Sequence, residues 1–520
     1  MTTPLDPPPG FTGQFTTAPS ELERFAGASG ILHISPAAVA APHDSDDLRR
    51  LVHWAAHDNL TLIPRGAGTG RPGGNVGRGI AVDLVSGFRG VHPVDPDSQT
   101  VHVEPGVTLS ELNRNCAPAG LHFPVDPSSS DRCTIGGMIA NNSAGAHSVK
   151  YGATREWVRS LDLVLADGQQ VTISRGERSP EPLATIVEEI DADILPVREK
   201  IRLHWPNVRK NSSGYALKEY LESGDALDLV IGSEGTLALI VGATLRLSPI
   251  PARRAVALLE FADLAALGDA VQALLPLAPA TCEFLDRTFL EMVRLHGADS
   301  GYPLRPGLEG ILLVEVEGDS PGAVDDDLQA ITSRMTGLAD RISTATDPDR
   351  QMAFWAVRHA ASPIIAERAD GRISMQFIED SVVPLHNLPA YIRELREVLA
   401  SHDLPAVIFG HAGDGNLHVN PLVDISEAGW RETLETVLYR IADIVADLGG
   451  TLSGEHGDGR LRAPLLERIW GPPMVAHFRV VKHAFDPLAT LNPGVILPET
   501  GQRPLSEIRA YGGRHLELSD

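Results

Sequence analysis

Cysteine, positive charge and long apolar runs are all scarce in this sequence of 520 residues. The three cysteines, Cys116, Cys133 and Cys282, include no Cys-x-x-Cys pair, so neither a disulfide framework nor a cysteine-ligated zinc or iron–sulfur cluster is supported. The 44 Lys and Arg residues are outnumbered by 68 Asp and Glu residues, and the formal net charge is -24. This balance disfavours binding to nucleic acid or to an anionic membrane surface.

No stretch approaches the roughly 20 consecutive apolar residues of a membrane span, and the first residues lack a basic segment followed by an apolar run. We therefore expect a cytoplasmic protein that touches a membrane at most peripherally. Hydrophobic residues make up 43% of the chain, which is enough for a large core. The length predicts two or three domains, and the lack of a fixed-period repeat argues against a solenoid.

Short β-rich runs alternate with helical segments in the first half of the chain, which predicts an α+β fold. We expect a hairpin over 160–173 that turns at Asp167-Gly168. After Pro249-Ile250-Pro251 the pattern restarts as strand, helix, strand, strand and helix, the order of a ferredoxin-like unit, so the two prolines mark a domain boundary. Residues 1–20 and those after Leu497 are expected to be loosely attached.

Glycine is concentrated in one loop between two expected strands, Arg65-Gly66-Ala67-Gly68-Thr69-Gly70-Arg71-Pro72-Gly73-Gly74-Asn75. The backbone N–H groups of such a loop can approach an anion closely. A Rossmann fingerprint would have to open a helix, which Pro72 followed by two glycines does not allow, so the loop is expected to run from strand to strand. A purely structural loop is the alternative. Two further segments of small residues, at 134–145 and 231–237, would suit a planar ligand.

The segments RGAGTGRPGGN, TIGGMIANNSAG and IGSEGTLALI resemble the FAD-binding segments of vanillyl-alcohol-oxidase-type flavoproteins over roughly residues 40–250. The resemblance implies a two-part FAD-binding domain over 1–250, followed by a ferredoxin-like α+β cap domain that binds the substrate. Covalent members attach FAD through His or Cys, which the glycine loop lacks, so we expect dissociable FAD, although Cys133 and His147 lie nearby. The residues that the resemblance places at FAD are Arg65, Gly66, Ala67, Gly68, Thr69, Gly70, Gly73, Gly74, Asn75, Pro127, Gly136, Gly137, Asn142, Ser143, Gly145, Glu234, Gly235, Ile240 and Asn492.

Imidazoles and a carboxylate are concentrated near the C-terminal end, in the motifs HAGDGNLH (411–418) and GEHGDG (454–459). Apolar runs on both sides of the Gly-Asp-Gly turn predict two strands with His411 and His418 close in space. Each histidine alone would be interpreted as structural, but together with Glu455 they predict a divalent metal site. Zinc suits these ligands best, with manganese or iron as alternatives, and three protein ligands leave positions open for a substrate.

These motifs and the segment LNPGVILP resemble the C-terminal part of FAD-dependent D-2-hydroxy acid dehydrogenases, which include D-lactate, glycolate and D-2-hydroxyglutarate dehydrogenases. The resemblance implies a cap domain over 251–450, a segment over 451–500 that packs back on the FAD domain, and a tail over 501–520. The implied metal ligands are His411, His418 and Glu455. The implied catalytic residues are His456 as the base, Arg358 as the carboxylate-binding cation and Asn420 near the substrate.

The resemblance implies oxidation of a D-2-hydroxy acid, D-lactate or D-2-hydroxyglutarate for example, to its 2-oxo acid. The metal would act as a Lewis acid, His456 would remove the hydroxyl proton, and hydride would pass to flavin N5. A metal-independent oxidase that uses oxygen and a zinc hydrolase are the alternatives. Asp414 and Asp458, each between glycines, are expected to support turns rather than bind the metal.

Two further expectations concern substrate and partners. The segment 375–381 lacks the lysine that some family members place there, which argues against a second cationic contact and a dicarboxylate substrate. Electrons would pass to a separate acceptor, such as a quinone, a cytochrome, an electron-transfer flavoprotein or an iron–sulfur protein. The sequence does not identify this acceptor. It does not determine the oligomeric state either, for which a homodimer is one alternative.

Overall fold

The computed structural model describes residues 5–295, 302–360 and 371–509. Over these ranges, none of the helices combines the length and the apolar composition that a membrane crossing requires. Of the expected tail, residues 510–520 lie outside the described residues.

A small sheet begins the N-terminal half, residues 5–250, which we call the FAD-binding half after the expectation from the sequence. Its strand order is β1-β2-β4-β3. Strands β2, β4 and β3 run parallel, and β1 pairs antiparallel with β2. Asp44 caps helix α2 by accepting a hydrogen bond from Asp47 N, which fixes the start of this helix. The elements are β1 (Gln14–Thr16), α1 (Pro19–Ala26), β2 (Ala38–Ala41), α2 (Ser45–His57), β3 (Leu62–Arg65) and β4 (Ile80–Asp83).

A second, antiparallel sheet of order β5-β9-β7-β8 completes this half, and β6 pairs separately with β10. The β7–β8 hairpin turns at Asp167-Gly168 as the sequence predicted. The strands are β5 (Thr100–Val103), β6 (Leu121–His122), β7 (Val158–Leu165), β8 (Gln170–Ser174), β9 (Ala238–Arg246) and β10 (Ser248–Pro249). The helices are α3 (Leu109–Cys116), α4 (Ile135–Asn141), α5 (Ser148–Tyr151), α6 (Leu183–Ile194), α7 (Arg198–His204), α8 (Leu217–Ser223) and α9 (Ala226–Val230).

The next part of the chain, residues 251–450, is called the cap half after the same expectation. It is built on one large antiparallel sheet of order β14-β11-β13-β12-β17-β18-β15, with β16 also paired to β18. Its first four strands in chain order are arranged 4-1-3-2, which is the ferredoxin-like order that the sequence predicted. The strands are β11 (Arg253–Phe261), β12 (Thr281–Asp286), β13 (Gly310–Gly318), β14 (Arg341–Ala345), β15 (Ile373–Ser374), β16 (Ser381–Val382), β17 (Ala406–His411) and β18 (Asn416–Val423). The helices are α10 (Leu264–Leu274), α11 (Arg287–Leu295), α12 (Pro321–Met335), α13 (Pro348–His359), α14 (Leu388–Ser401) and α15 (Trp430–Asp447).

The C-terminal segment returns from the cap to the FAD-binding half through α16 (Gly459–Arg462) and α17 (Leu466–Phe485). Helix α17 breaks at Gly471, which has a φ of 72° and precedes two prolines. Its Trp470 and Phe478 share a buried apolar cluster with Tyr215 of the FAD-binding half. The segment therefore contributes core residues to a domain whose sequence lies far upstream.

Both chain ends are more firmly packed than the sequence indicated. Strand β1 pairs with β2, and Leu505 and Ile508 are buried in the same apolar cluster as cap residues. His33 N donates a hydrogen bond to Glu507 O, which ties the end of the chain to its beginning. The expectation of loose ends is therefore wrong for residues 14–16 and 505–508, because a few well-placed apolar side chains and backbone pairs are enough to anchor them.

Candidate active site

A cavity of about 690 Å³ lies between the two halves of the protein. The FAD-binding half contributes the glycine loop and the segments around Pro127–His147 and Ser233–Ile240. The cap contributes one face of its sheet, and the C-terminal segment contributes Glu455 and His456. A ligand in this space would touch all three parts of the chain.

The glycine loop presents its backbone to this cavity. Residues 66–70 line the cavity, and none of their five N–H groups has a hydrogen-bond acceptor in the described ranges. The Arg65 side chain donates to the carbonyl oxygens of Phe25, Gly27 and Asn75, and so fixes the start of the loop. Unpaired N–H groups converging from a glycine-rich turn form an anion-binding concavity, which fits the pyrophosphate of FAD.

Most residues that the sequence assigned to FAD line this cavity, while Gly73, Asn142 and Asn492 stand behind its wall. Asn142 Oδ1 accepts Arg155 N, and Asn492 Nδ2 donates to Gly74 O and Glu234 O. These three residues do not line the cavity, and the two asparagines support neighbouring residues through hydrogen bonds. The assigned residues that do line the cavity are Arg65, Gly66, Ala67, Gly68, Thr69, Gly70, Gly74, Asn75, Pro127, Gly136, Gly137, Ser143, Gly145, Glu234, Gly235 and Ile240.

Two nucleophilic side chains on the cavity wall bear on covalent flavin attachment. Burial raises the pKa of the Cys133 thiol to about 11, which disfavours its thiolate. Both ring nitrogens of His147 face carboxylates, with Nδ1 2.6 Å from Asp126 Oδ2 and Nε2 3.0 Å from Glu315 Oε1. Neither side chain is activated as a nucleophile by its surroundings, and dissociable FAD stays a prediction.

The three predicted metal ligands come together on the cap side of the cavity. The antiparallel pairing of β17 and β18 brings the rings of His411 and His418 to a centroid separation of 5.0 Å. Glu455 Oε1 lies 3.2 Å from His411 Nε2 and 3.3 Å from His418 Nε2. All three side chains are buried. The structure therefore groups two imidazoles and one carboxylate at spacings suited to a single divalent ion.

A second layer of charged groups, which the sequence did not indicate, orients these ligands. Glu283 on β12 accepts a hydrogen bond from His411 Nδ1, which turns Nε2 towards the cluster. Lys210 Nζ lies 2.7 Å from Glu455 Oε2 and donates to Asn416 Oδ1. Burial alone would lower the pKa of His411, but Glu283 outweighs it and raises the pKa to about 9. No local pattern marks Lys210 or Glu283, because both join the cluster only through tertiary contacts.

His456, the predicted base, lies beside the predicted metal ligands and contacts carboxylates. Its Nε2 is 3.6 Å from Glu455 Oε1, and its Nδ1 is 2.6 Å from Glu379 Oε2. Burial opposes the charged imidazole, but Glu379 and Asp380 outweigh burial and raise the pKa of His456. Asp380 also accepts His456 N, which fixes the backbone of the motif. Arg462 Nη2 lies 2.7 Å from Glu379 Oε1 and completes this network.

Arg358 and Asn420, the other predicted catalytic residues, also line the cavity. Arg358 Nε donates to Glu283 Oε2 over 3.0 Å, and its guanidinium lies 4.2 Å from the centroid of the Phe409 ring. Because Glu283 also accepts a hydrogen bond from His411, the predicted substrate arginine and a predicted metal ligand share one carboxylate partner. Asn420 is buried on β18, the strand that carries His418.

The two aspartates of the glycine turns lie outside the cavity wall, as the sequence indicated. Asp414 accepts a hydrogen bond from Ser148 Oγ of the FAD-binding half. Asp458 accepts Gly214 N over 2.7 Å, and burial raises its pKa to about 6. Asp414 therefore joins the cap half to the FAD-binding half, and Asp458 joins the C-terminal segment to the FAD-binding half.

Both halves of the chain match known protein families. Residues 36–174 match the family described as FAD binding domain, and residues 250–496 match FAD linked oxidases, C-terminal domain. The glycolate oxidase subunit GlcD of Bacillus subtilis (strain 168) is 30% identical over 472 residues, covering 90% of each chain. The chain belongs to the FAD-dependent D-2-hydroxy acid dehydrogenases. The dehydrogenase is therefore an FAD-linked oxidoreductase, as its motifs predicted.

Another relative of this dehydrogenase is the D-2-hydroxyglutarate dehydrogenase of Pantoea ananatis (strain AJ13355), at 29% identity. The match covers 94% of the present chain but 50% of that relative, so the dehydrogenase spans about half of its length.

Solved structures confirm the expected vanillyl-alcohol-oxidase-type α+β fold of the dehydrogenase. The 4-ethylphenol oxidase of Gulosibacter chungangensis superposes with a TM-score of 0.67 at 15% identity, covering 94% of this chain and 95% of that one. An alkyldihydroxyacetonephosphate synthase superposes with a TM-score of 0.65 at 17% identity, covering 92% of this chain and 83% of the other. At these identities the likeness establishes the fold alone.

Proposed function

We propose that this dehydrogenase oxidises a D-2-hydroxy acid to the 2-oxo acid at a divalent metal site, with His456 as the base. The observation that carries the proposal is the convergence of His411, His418 and Glu455 on the cavity wall opposite the glycine loop. The relatives named above act on glycolate or D-2-hydroxyglutarate, which are 2-hydroxy acids, and their names support the same substrate class.

The spacing of the three ligand atoms fits a metal ion. Tetrahedral zinc with bonds of about 2.0–2.1 Å holds its ligand atoms about 3.3 Å apart. The two measured separations from Glu455 Oε1 are 3.2 and 3.3 Å. Burial lowers the pKa of His418 to about 4, so its ring is neutral and keeps a free lone pair near neutral pH. The same residue types also accept manganese or iron.

Each cofactor would supply one property that the side chains lack. Bound FAD supplies a hydride acceptor, and a bound divalent ion supplies a Lewis acid for the hydroxyl oxygen. The glycine loop would hold the FAD pyrophosphate through its unpaired N–H groups, while the loops around Gly136 and Gly235 would enclose the ring system.

Side chains of the cap and the C-terminal segment would bind and orient the substrate and accept its hydroxyl proton. Arg358 would bind the substrate carboxylate with the N–H groups that Glu283 leaves free, since guanidinium offers a planar fork. His456 would accept the hydroxyl proton at Nε2, because its Nδ1 already faces Glu379. Asn420 would orient the substrate from the neighbouring strand.

One observation favours a metal-independent oxidase of the same fold as the second candidate. The Lys210 ammonium lies 2.7 Å from Glu455 Oε2 and compensates the carboxylate charge without an ion. In that case the histidines would act through hydrogen bonds, and oxygen would take the electrons. A zinc hydrolase receives no support, because the chain belongs to a family of FAD-linked oxidoreductases.

The deciding experiment follows flavin absorbance anaerobically in FAD-reconstituted protein mixed with D and L isomers of lactate, 2-hydroxybutyrate and 2-hydroxyglutarate. Metal content is measured on the same samples, before and after dialysis against a chelator. We expect bleaching by D isomers, its loss after chelation and its return on adding zinc or manganese. His411→Ala should slow bleaching by more than the roughly 10- to 100-fold that loss of an outer partner of a metal ligand costs.

Two further variants test the assigned roles. His456→Asn should slow bleaching by about 10²–10⁴-fold with unchanged FAD content, the range for loss of a general base. The exposed His204, which does not line the cavity, provides the matched control, and His204→Ala should behave as wild type. Bleaching that chelation leaves unchanged would favour the metal-independent oxidase, and bleaching by L isomers alone would contradict the D assignment.

A further inference from the structure

A short hairpin near the start of the chain packs against the glycine loop. We call residues 26–34 the bracing hairpin, in which Gly27 forms an antiparallel bridge with His33. At the tip of this hairpin, Ser29 N donates a hydrogen bond to Gly68 O over 3.0 Å, and Ser29 also lines the cavity. The hairpin is therefore bonded directly to the middle of the glycine loop.

The hydrogen bond from Ser29 orients one N–H group of the glycine loop. The carbonyl of Gly68 and the N–H of Thr69 belong to the same peptide group, which is trans. In a trans peptide the C=O and N–H bonds point in opposite directions. Holding Gly68 O therefore fixes the direction of the Thr69 N–H, one of the five that have no acceptor in the described ranges. Donors that are oriented before an anion arrives bind it at a lower entropic cost.

Close packing also transmits the position of the bracing hairpin to the loop. A Cβ placed on Gly30 would overlap the carbonyl oxygen of Arg71. A Cβ placed on Gly73 would lie 2.6 Å from Leu32 Cδ1. Because no free space separates the hairpin from the loop at these two points, a shift of the hairpin would move the loop as well.

A segment from the other end of the described chain holds the bracing hairpin. We call residues 505–509 the C-terminal clasp. Its backbone pairs with the hairpin through two hydrogen bonds of 2.9 Å, from His33 N to Glu507 O and from Arg509 N to Ile31 O. The clasp thus extends the hairpin by one short antiparallel strand.

The Arg509 side chain reaches the tip of the hairpin. Its Nη2 donates to Ala28 O over 2.9 Å and to Gly30 O over 3.2 Å. These two carbonyls flank Ser29, the residue that is bonded to the glycine loop. Hydrogen bonds from a charged donor are stronger than those between neutral groups. One guanidinium therefore fixes the turn that orients the loop.

We propose that Arg509 is a positioning residue for the FAD pyrophosphate, which acts through the bracing hairpin on the glycine loop. The clasp then determines how long the protein retains its FAD. This inference rests on the part of the proposed function that assigns the glycine loop to the pyrophosphate. It requires neither the metal nor the substrate.

The test measures the rate of FAD release from the reconstituted protein, followed by the rise in flavin fluorescence after dilution. Arg509→Ala should raise this rate and the Kd for FAD by about tenfold, which corresponds to about 1.4 kcal/mol. Arg509→Lys should retain most of the wild-type behaviour, because an ammonium group can donate to both carbonyl oxygens.

Arg503→Ala is the matched control for these variants. Arg503 belongs to the same part of the chain, but its Nε lies 3.2 Å from Glu435 Oε1 at the exposed surface. Arg503→Ala should release FAD at the wild-type rate.

A double variant tests whether Arg509 acts through the hairpin. Gly30→Ala should displace the hairpin tip from Arg71 O and should also speed FAD release. If both changes act by the same route, the double variant should release FAD more slowly than the product of the two single effects predicts. Fully multiplicative effects would overturn the proposed route.

Hydrogen exchange in the apoprotein separates local positioning from a general loss of stability. Arg509→Ala should speed amide exchange in residues 26–34 and 66–71, while exchange in the β7–β8 hairpin stays as in wild type. Equally faster exchange in all three segments would overturn the proposal, because the variant would then act on overall stability.

Gly68→Ala, which alters the loop itself, separates this inference from the function on which it rests. If Gly68→Ala weakens FAD binding and Arg509→Ala does not, the loop keeps its assignment and the role of Arg509 is overturned. If neither variant changes FAD binding, both the assignment of the loop and the role of Arg509 fail.

Discussion

Lys210 is a charged side chain deep inside the protein, with only 5% of its surface exposed. Its ammonium group joins Glu455 to Asn416, so it fixes which carboxylate oxygen faces the histidines. Burial opposes its charge, but Glu455 and Asp414 outweigh burial and raise the pKa of Lys210. It is therefore a positioning residue, which acts on the site through Glu455.

Replacing Lys210 should cost stability. In metal-free protein, Lys210→Met leaves the buried Glu455 carboxylate without its closest cation, and breaking one side of a buried pair costs about 3–5 kcal/mol. The measurement is the free energy of unfolding from urea titration. Lys218→Met is the matched control, because Lys218 lies 3.9 Å from Glu222 at the exposed surface and should contribute less than about 0.5 kcal/mol. A change for Lys210→Met as small as that of the control would contradict the assigned role.

Residues on one short hairpin were predictable, and residues that meet through tertiary contacts were not. His411 and His418 come together because the Gly-Asp-Gly turn and its flanking apolar runs specify the β17–β18 pairing locally. Lys210 lies 206 positions from Asn416, and nothing near it in the sequence indicates a ligand shell. Arg71 was visible as part of the glycine loop, but its reach to Gln376 depends on how the cap sits over that loop.

At the scale of single elements, the glycine loop is the most constrained segment of the site. Gly68 has a φ of +75°, a conformation that favours glycine. A Cβ placed there would lie 2.6 Å from a guanidinium nitrogen of Arg65, whose position is fixed by three carbonyl oxygens. The loop therefore depends on glycine both for its backbone angle and for its packing.

Gly68→Ala should weaken FAD binding. A left-handed conformation costs an L-residue roughly 1–2 kcal/mol, and the contact with Arg65 adds to it, so the Kd for FAD should rise by about tenfold or more. The Kd is measured by fluorescence titration of the apoprotein. Gly322→Ala is the control, because a Cβ at Gly322 in α12 meets no atom within 4 Å and should leave the Kd unchanged. An unchanged Kd for Gly68→Ala would show that the loop does not hold the cofactor.

Most elements of the fold followed from local patterns, while the chain ends did not. The β7–β8 hairpin and the strand order of the cap agree with the turn residues and the strand–helix pattern of the sequence. Leu505 and Ile508 are isolated apolar residues in a polar stretch, so their burial could not be read from a repeating pattern. Their partners belong to a cluster shared with the cap, which only the folded chain brings together.

At the scale of the whole molecule, a network of charges joins the two halves at the edge of the cavity. His147 of the FAD-binding half faces Asp126 and the cap residue Glu315. Beside it, Lys150 and Arg254 both contact Glu317. Burial opposes the imidazolium, but Asp126 and Glu315 outweigh burial and raise the pKa of His147 to about 10.

The stability of the docked halves should therefore depend on pH. An unfolded histidine has a pKa near 6.5, so the stabilisation from His147 is complete below about pH 6.5 and is lost as the pH rises through about 10. The free energy of unfolding is compared for wild type and His147→Gln at pH 7, 8.5 and 10, without FAD. Their difference should shrink by at least about 1.4 kcal/mol, the equivalent of one pKa unit. A constant difference would mean that His147 is neutral in the folded protein.

The hydrogen bonds between Glu234 and the turn at 454–459 determine when the site is completed during protein synthesis. Glu234 accepts the N–H groups of Asp458 and Gly459, so the turn that carries Glu455 and His456 is seated on the FAD-binding half. A ribosome adding about 5–20 residues per second needs roughly 20–80 s to pass from Arg65 to Glu455. Throughout that interval a growing chain would display a glycine loop facing an unfinished wall, and it would acquire the proposed proton acceptor and the proposed metal ligands only near the end of synthesis.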